Sequence, residues 1–151
     1  MNVATAESLT DSAARLRLAI VRTARRLRQE AAGAGGTELS PTAAAALATV
    51  ERHGPLTPSE LAEIERVKRP TATRTLRLLT EAGLVDRAPD PDDGRSALVS
   101  VSVAGRERLR RLRGRKNAYL ARRMRKLSAA EVETLERAAE ILEQMREEER
   151  G

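Results

Sequence analysis

Cysteine is absent from all 151 residues. Disulfides, thiolate metal sites and cysteine redox sensing are thereby excluded. Histidine occurs once, as His53, so a histidine metal cluster and a histidine-based triad are not expected. The expectation is a protein with no metal and no cofactor. Phe and Trp are missing and Tyr119 is the single aromatic residue. That argues against a single-strand nucleic-acid binder that stacks bases on aromatic rings. No apolar run approaches the roughly 18 residues that a membrane span needs. The first ten residues, MNVATAESLT, lack the basic-then-apolar order of a signal peptide. A soluble, cytoplasmic chain with no membrane partner is expected, of a length that suits one domain. Catalysis has no foothold either. Ser59 and Ser128 stand at helix-cap positions, and no carboxylate pair sits in an evident cleft.

What the chain does have is arginine: 25 of its 28 basic residues, for a net charge of +6. Such an excess points to a polyanionic partner, although a GC-rich genome would also produce it. The charge is unevenly placed. Residues 103–127 hold eleven basic side chains and one acidic, while residues 128–151 hold three basic and eight acidic. An antiparallel pairing of these two segments is the expected structural use of both.

Residues 8–31 read as a helix, with Leu9, Leu16, Ile20 and Leu27 on a helical period. Gly33–Gly36 reads as a loop. Ser40-Pro41 opens a second, Ala-rich helix that stops near His53-Gly54-Pro55, with His53 as a helix-end residue. Thr57-Pro58-Ser59-Glu60 is a capping box that starts a short third helix through Leu61, Ala62 and Ile64. A fourth runs from Arg69 to Ala82, with Gly83 at its stop. The period then changes to strand-like runs at 84–88 and 97–102, around the turn Pro89-Asp90-Pro91-Asp92-Asp93-Gly94. Helical patterning returns from Ser102. Ser128-Ala129-Ala130-Glu131 caps a last helix with Val132, Leu135, Leu142 and Met145 on one stripe, before a tail, 147–151, expected to fray. The fold class expected is mainly α with a small β-hairpin wing: a winged helix-turn-helix at 40–102, flanked by helices at 8–31 and 103–147 within one domain, 1–151.

On the fourth helix, Ala72, Leu76 and Leu79 share one face, expected to pack on Leu61 and Ile64. The opposite face gathers Pro70, Thr73, Arg74 and Arg77, with Arg69 and Thr71 near its rim and Lys68 just before it. Arginine reads guanine with two hydrogen bonds, and threonine suits phosphate or a thymine methyl. Cations at a helix start oppose the macrodipole, whereas a phosphate there would welcome them. In the wing, Arg95 follows the turn directly and is placed to enter a narrow minor groove. Gly94 is expected to give the turn its tightness, and one of the wing aspartates, Asp90 or Asp93 among them, to pair with an arginine and hold its shape.

Leu56–Ala62, Val67–Arg74, Glu81–Arg87, Asp90–Ser96 and Val99–Gly105 together resemble the MarR family of bacterial regulators. The Asp-Pro-x-Asp-x-Arg wing after Gly-Leu-Val is the specific part. The resemblance implies a symmetric homodimer built from the first and last two helices, bound to a palindromic double-stranded DNA operator. It implies a recognition helix carrying Arg69, Thr71, Thr73, Arg74 and Arg77, and a wing arginine, Arg95. It also implies a repressor released by a small-molecule effector, phenolic or anionic, held between dimer helices and DNA-reading part. Lys68 departs from the family, which often has a serine cap there, and the scarcity of aromatics leaves no recognisable ligand pocket. Tyr119 is expected in interface packing. The rival reading is an architectural, nucleoid-type binder of double-stranded DNA without a preferred operator.

Overall fold

The computed structural model describes residues 6–32 and 39–148. The expected loop at Gly33–Gly36 lies outside them. Six helices and a hairpin follow in chain order: α1 Ala6–Ala32, α2 Pro41–His53, α3 Pro58–Glu65, α4 Arg69–Glu81, β1 Val85–Pro89, β2 Ala97–Val101, α5 Val103–Met124 and α6 Ala129–Glu148. The mainly helical winged-helix class is thus what the chain adopts. Residues Glu147 and Glu148, expected to fray, are helical.

Local chemistry sets the boundaries. The Ser40 hydroxyl accepts from the Ala43 N–H at 3.1 Å, and Pro41 fills the first turn of α2, where its missing N–H is not needed. Thr57 and Glu60 exchange bonds of 3.2 and 2.7 Å in a full capping box. Ser128 and Glu131 repeat it at the start of α6. There the bonds from the Ser128 backbone N–H, then its hydroxyl, hold the Glu131 carboxyl below the usual carboxylate range. Arg66 closes α3 in the left-handed conformation, φ 53°, and forms the turn into α4.

The core lies under the winged-helix part. Leu47 and Val50 of α2, Leu61 of α3, Leu76 and Leu79 of α4 and Val99 of β2 are essentially fully buried. Ala72, Leu76 and Leu79 form the buried face of α4, as their spacing predicts. Ile64 does not join them and is 43% exposed. The consecutive pair Leu61-Ala62 centres the buried face of α3 between its two members, and at 100° per residue Ile64 falls well outside that arc. The strands pair antiparallel from Val85↔Val101 to Pro89↔Ala97. Val99 and Val101 face inward, which is the period-two pattern of the sequence. Leu56 adds a further bridge, exchanging backbone bonds of 3.0 and 2.8 Å with Val99.

One joint connects this head to the long helices. The Ser102 hydroxyl donates to the Gly83 carbonyl at 2.6 Å and accepts from the Gly105 N–H at 3.0 Å, and the Ser102 N–H donates to Leu84 O. Gly83 takes φ 72°, a conformation that suits glycine. Gly105 lies so close that a Cβ there would stand 2.1 Å from the Leu84 carbonyl oxygen.

The expected pairing of a basic fifth helix with an acidic sixth is replaced by another arrangement. Helix α5 lies along α1 and reaches α2. Arg113 pairs with Glu51 of α2 at 2.7 Å, and Arg122 lies 4.0 Å from Glu30 of α1. Arg115 donates to the Ala31 carbonyl at 2.9 Å, at the negative end of the α1 dipole. Helix α6 pairs within itself, Arg137 with Glu140 and Arg146 with Glu143. None of its described residues is buried.

Gly105→Ala should therefore lower stability by about 1–3 kcal/mol or more, because backbone rather than a movable side chain blocks the methyl group. Gly114→Ala, in open space on the same helix, should instead stabilise by about 0.5–1 kcal/mol. Denaturant unfolding of both variants checks the contrast, and similar effects would remove the tight joint.

Candidate nucleic-acid interface

The exposed side of α4 is built by the burial of its other side. With Ala72, Thr75, Leu76 and Leu79 turned inward, Arg69, Pro70, Thr73, Arg74 and Arg77 are left outward, where they line one shallow hollow. Lys68 and Thr71 are exposed beside it. The helix start is unusual. Lys68 stands at the cap position with no side-chain bond, and no acidic residue occupies the first turn. The free N–H groups and positive dipole end of α4 thus meet cations where an anion would stabilise them.

The wing tip is shaped by carboxylates, in a different manner from the ion pair expected of it. Asp90 accepts from the Asp92 N–H at 2.9 Å, and Asp93 accepts from the Arg95 N–H at 3.0 Å. Backbone bonds Asp90 N–H to Ser96 O and Ser96 N–H to Asp93 O complete the turn. The short acidic side chains thus act as turn-closing acceptors, and the Arg95 guanidinium stays outside the network. Gly94 occupies the turn as expected, but its φ lies outside the left-handed range and a Cβ would meet nothing within 4 Å. The turn accepts glycine there without requiring it.

Among the described residues, no carboxylate forms an ion pair with Lys68, Arg69, Arg74, Arg77 or Arg95. The cations of α5 behave otherwise, since Arg113, Arg115 and Arg122 are engaged by α1 and α2. The cations of the α4 face and the wing tip are thus left without a carboxylate partner among the described residues.

Known proteins share this fold. Residues 37–96 match the model of the MarR family. An uncharacterised HTH-type transcriptional regulator of Mycobacterium bovis is 38% identical over 138 residues, which cover 89% of this chain and 94% of that one. The chain belongs to the MarR family. It is a DNA-binding transcriptional regulator of the winged-helix type, and its relatives are regulators rather than enzymes. A candidate transcriptional regulator from Pseudomonas aeruginosa superposes with a TM-score of 0.81 at 32% identity, covering 94% of this chain and 97% of its own. The HTH-type transcriptional repressor IacR of Pseudomonas putida is 31% identical over 84 residues, 56% of this chain and 50% of that protein. No helix among the described residues is long and apolar enough to cross a membrane.

Two features of this MarR-family chain were not legible beforehand. A cleft of about 850 Å³ opens between α1, α2 and α5, where the lack of aromatics suggested no pocket. It exists because α2 presents Ala44, Ala45 and Ala48 to it, side chains too small to fill the space between three helices. The alanine run was the available signal. The second is the setting of Tyr119. The guanidinium carbons of Arg26 and Arg123 lie 5.4 and 5.7 Å from its ring centre, a double cation–π arrangement. Hydrogen bonds from Arg26, then Arg123, hold its phenol below the ordinary value. Tyr119 thus ties α1 to α5 within the chain.

As the chain has one aromatic residue, its near-ultraviolet absorbance isolates this phenol. The titration midpoint should fall below the usual value of about 10, and Arg26→Gln should move it upward. The folded state favours the phenolate, so the contact contributes more as pH rises through the folded midpoint and loses that contribution below it. A midpoint at or above the usual value would dissolve the contact.

Proposed function

We propose that the protein is a homodimeric, cytoplasmic repressor that binds a palindromic double-stranded DNA operator and releases it when a small anionic effector enters the cleft. The observation that carries the reading is the unpartnered cationic face of α4 beside an equally unpartnered Arg95. On it, Lys68, Arg69 and Thr71 hold phosphate at the helix start, and Thr73, Arg74 and Arg77 meet base edges from the major groove, with Pro70 packing among them. Arg95 enters the minor groove, with Asp90, Asp93 and Gly94 shaping the turn that delivers it. Residues 40–102 act as the DNA-binding part within a single domain.

Dimerisation through 8–31 and 103–147 has its own support. Leu9, Leu16 and Ile20 of α1 and Leu135 and Met145 of α6 are 43–61% exposed in the chain alone. Apolar stripes of that extent need a covering surface, and a second copy supplies a symmetric one. The repressor role is supported by the likeness to a known repressor. Effector release is supported by the cleft, whose described lining holds cations such as Arg28, Arg111 and Lys116 and no carboxylate.

Sites selected from random DNA should converge on a palindrome. A collection without a motif would favour the architectural reading. Arg74→Ala or Arg77→Ala should then cost about 1–3 kcal/mol per half-site on the selected sequence and much less on random DNA. Equal losses on both would place these arginines on phosphate. Arg95→Ala should reduce the salt dependence by roughly one counterion per wing, with the larger loss on A·T-rich flanks. Sedimentation at micromolar concentration should show about twice the 16.5 kDa chain mass, and a helical monomer would remove the dimer.

A further inference from the structure

Besides the α2 residues in its wall, the cleft is linked to the DNA-binding head by a side chain of α5, Arg113. It lines the cleft wall, yet its Nη1 reaches out to Glu51 Oε1 at 2.7 Å. Glu51 is not part of that wall. It stands in the last turn of α2, the helix whose Leu47 and Val50 form the floor on which α4 packs. Five residues beyond Glu51, Leu56 bridges to Val99 of the wing hairpin. The contact therefore connects α5 to the element that supports both the α4 face and the wing. Next to it, Arg115 fixes α5 to α1 through the Ala31 carbonyl at 2.9 Å and the Ala32 carbonyl at 3.5 Å. Of these two ties, only the one through Arg113 joins α5 to the head by a carboxylate that another anion can replace.

We propose that Arg113 is a latch with two alternative partners: Glu51 when the cleft is empty, and the acid group of a bound ligand when it is filled. This rests on the reading that an effector acts from the cleft. A guanidinium stays charged at any physiological pH and offers a fork that fits one carboxylate at a time on a given edge. The switch is thus a choice of partner and involves no proton. The contact is half exposed, 51% at Arg113 and 27% at Glu51, so it is weak enough to exchange. Arg28 and Lys116, in the same wall, add attraction for an anion without a competing carboxylate in the described lining. The apolar lining is made of Leu, Ala and Pro, with no ring to stack on. That composition suits a saturated chain, so the ligand class is an aliphatic carboxylate. When its acid group takes Arg113, α2 loses this ion pair to α5, and the head can shift against the long helices within what Leu109 and the Ser102 joint allow.

The test uses the full-length protein, the selected DNA site and three probes: dodecanoate, dodecan-1-ol and benzoate. Dodecanoate should bind the wild type and should bind Glu51→Gln roughly two- to fivefold more tightly, the range of a partly exposed ion pair. It should bind Arg113→Gln more weakly, and the alcohol should bind poorly to all. Without ligand, Glu51→Gln and Arg113→Gln should each weaken DNA binding by a similar, roughly two- to fivefold factor. The double variant should lose no more than either single one, as expected of two halves of one contact. Arg122→Gln, whose Glu30 contact lies outside the cleft wall, serves as the unchanged control. Circular dichroism confirms that each variant is folded. Equal dodecanoate affinity in wild type and Glu51→Gln would overturn the latch. Release of DNA from Arg113→Gln as readily as from wild type would also overturn it while leaving the effector reading standing. Failure of all three probes to bind would overturn both. Tighter binding of benzoate would overturn the aliphatic class.

Discussion

Everything functional in this chain hangs on the close approach of Gly105 to the Leu84 carbonyl. Here β2 turns into α5 against the backbone at Leu84, and a Cβ at Gly105 would stand 2.1 Å from that carbonyl oxygen. Ser102 then fixes the direction, with one hydroxyl bonded to both Gly83 and Gly105. The outcome is that α5 leaves the head at one defined angle, lies along α1 and passes Glu51 of α2. The cleft, the Arg113 contact and the placement of Tyr119 are consequences of that exit direction. A looser joint would keep each helix intact and lose their relation to the α4 face.

The second constraint is how positive charge is divided. Charges of both kinds occur on exposed helices, and their difference lies in what faces them. On α5, carboxylates, helix-end carbonyls and a phenol take up the guanidinium groups, so much of its charge is committed to holding the long helices together. On α4 and the wing tip, neighbouring elements offer no such partner. A protein that binds a polyanion needs charge that its own surface has not already taken up. Net charge per segment misses this division, because residues 55–102 hold seven basic and eight acidic side chains and still carry the candidate interface.

How far the sequence disclosed this can be argued element by element. The caps at Ser40, Thr57 and Ser128 and the stop at Gly83 are local chemistry, complete within four residues, and such signals survive folding unchanged. The inward faces of α4 and β2 follow from period alone. Ile64 was misplaced since two adjacent apolar residues, Leu61 and Ala62, set the buried arc and leave Ile64 well outside it. The fate of the α5 cations was misread because opposite net charge favoured α6, whereas packing brought α1 and α2. The Asp90 and Asp93 carboxylates were expected to meet a side chain and instead met backbone, the nearer donor. The cleft was hidden because a void is made by what three separated segments fail to fill. Of the candidate site, the cluster on α4 was readable as a helical face, and the isolation of its charges became visible only once every neighbour was placed.

The self-closing wing tip has an evolutionary consequence. Its turn is held by acceptors from within the same seven residues, Asp90 to Ser96, and borrows nothing from the core. Gly94 meets no neighbour that would resist a larger side chain. Selection can therefore vary the tip almost independently of folding, in contrast to α4, whose outward residues are interspersed with ones the core depends on. Descendants of this chain are free to change the wing tip first, and to change the outward face of α4 only within the limits that Ala72, Leu76 and Leu79 impose.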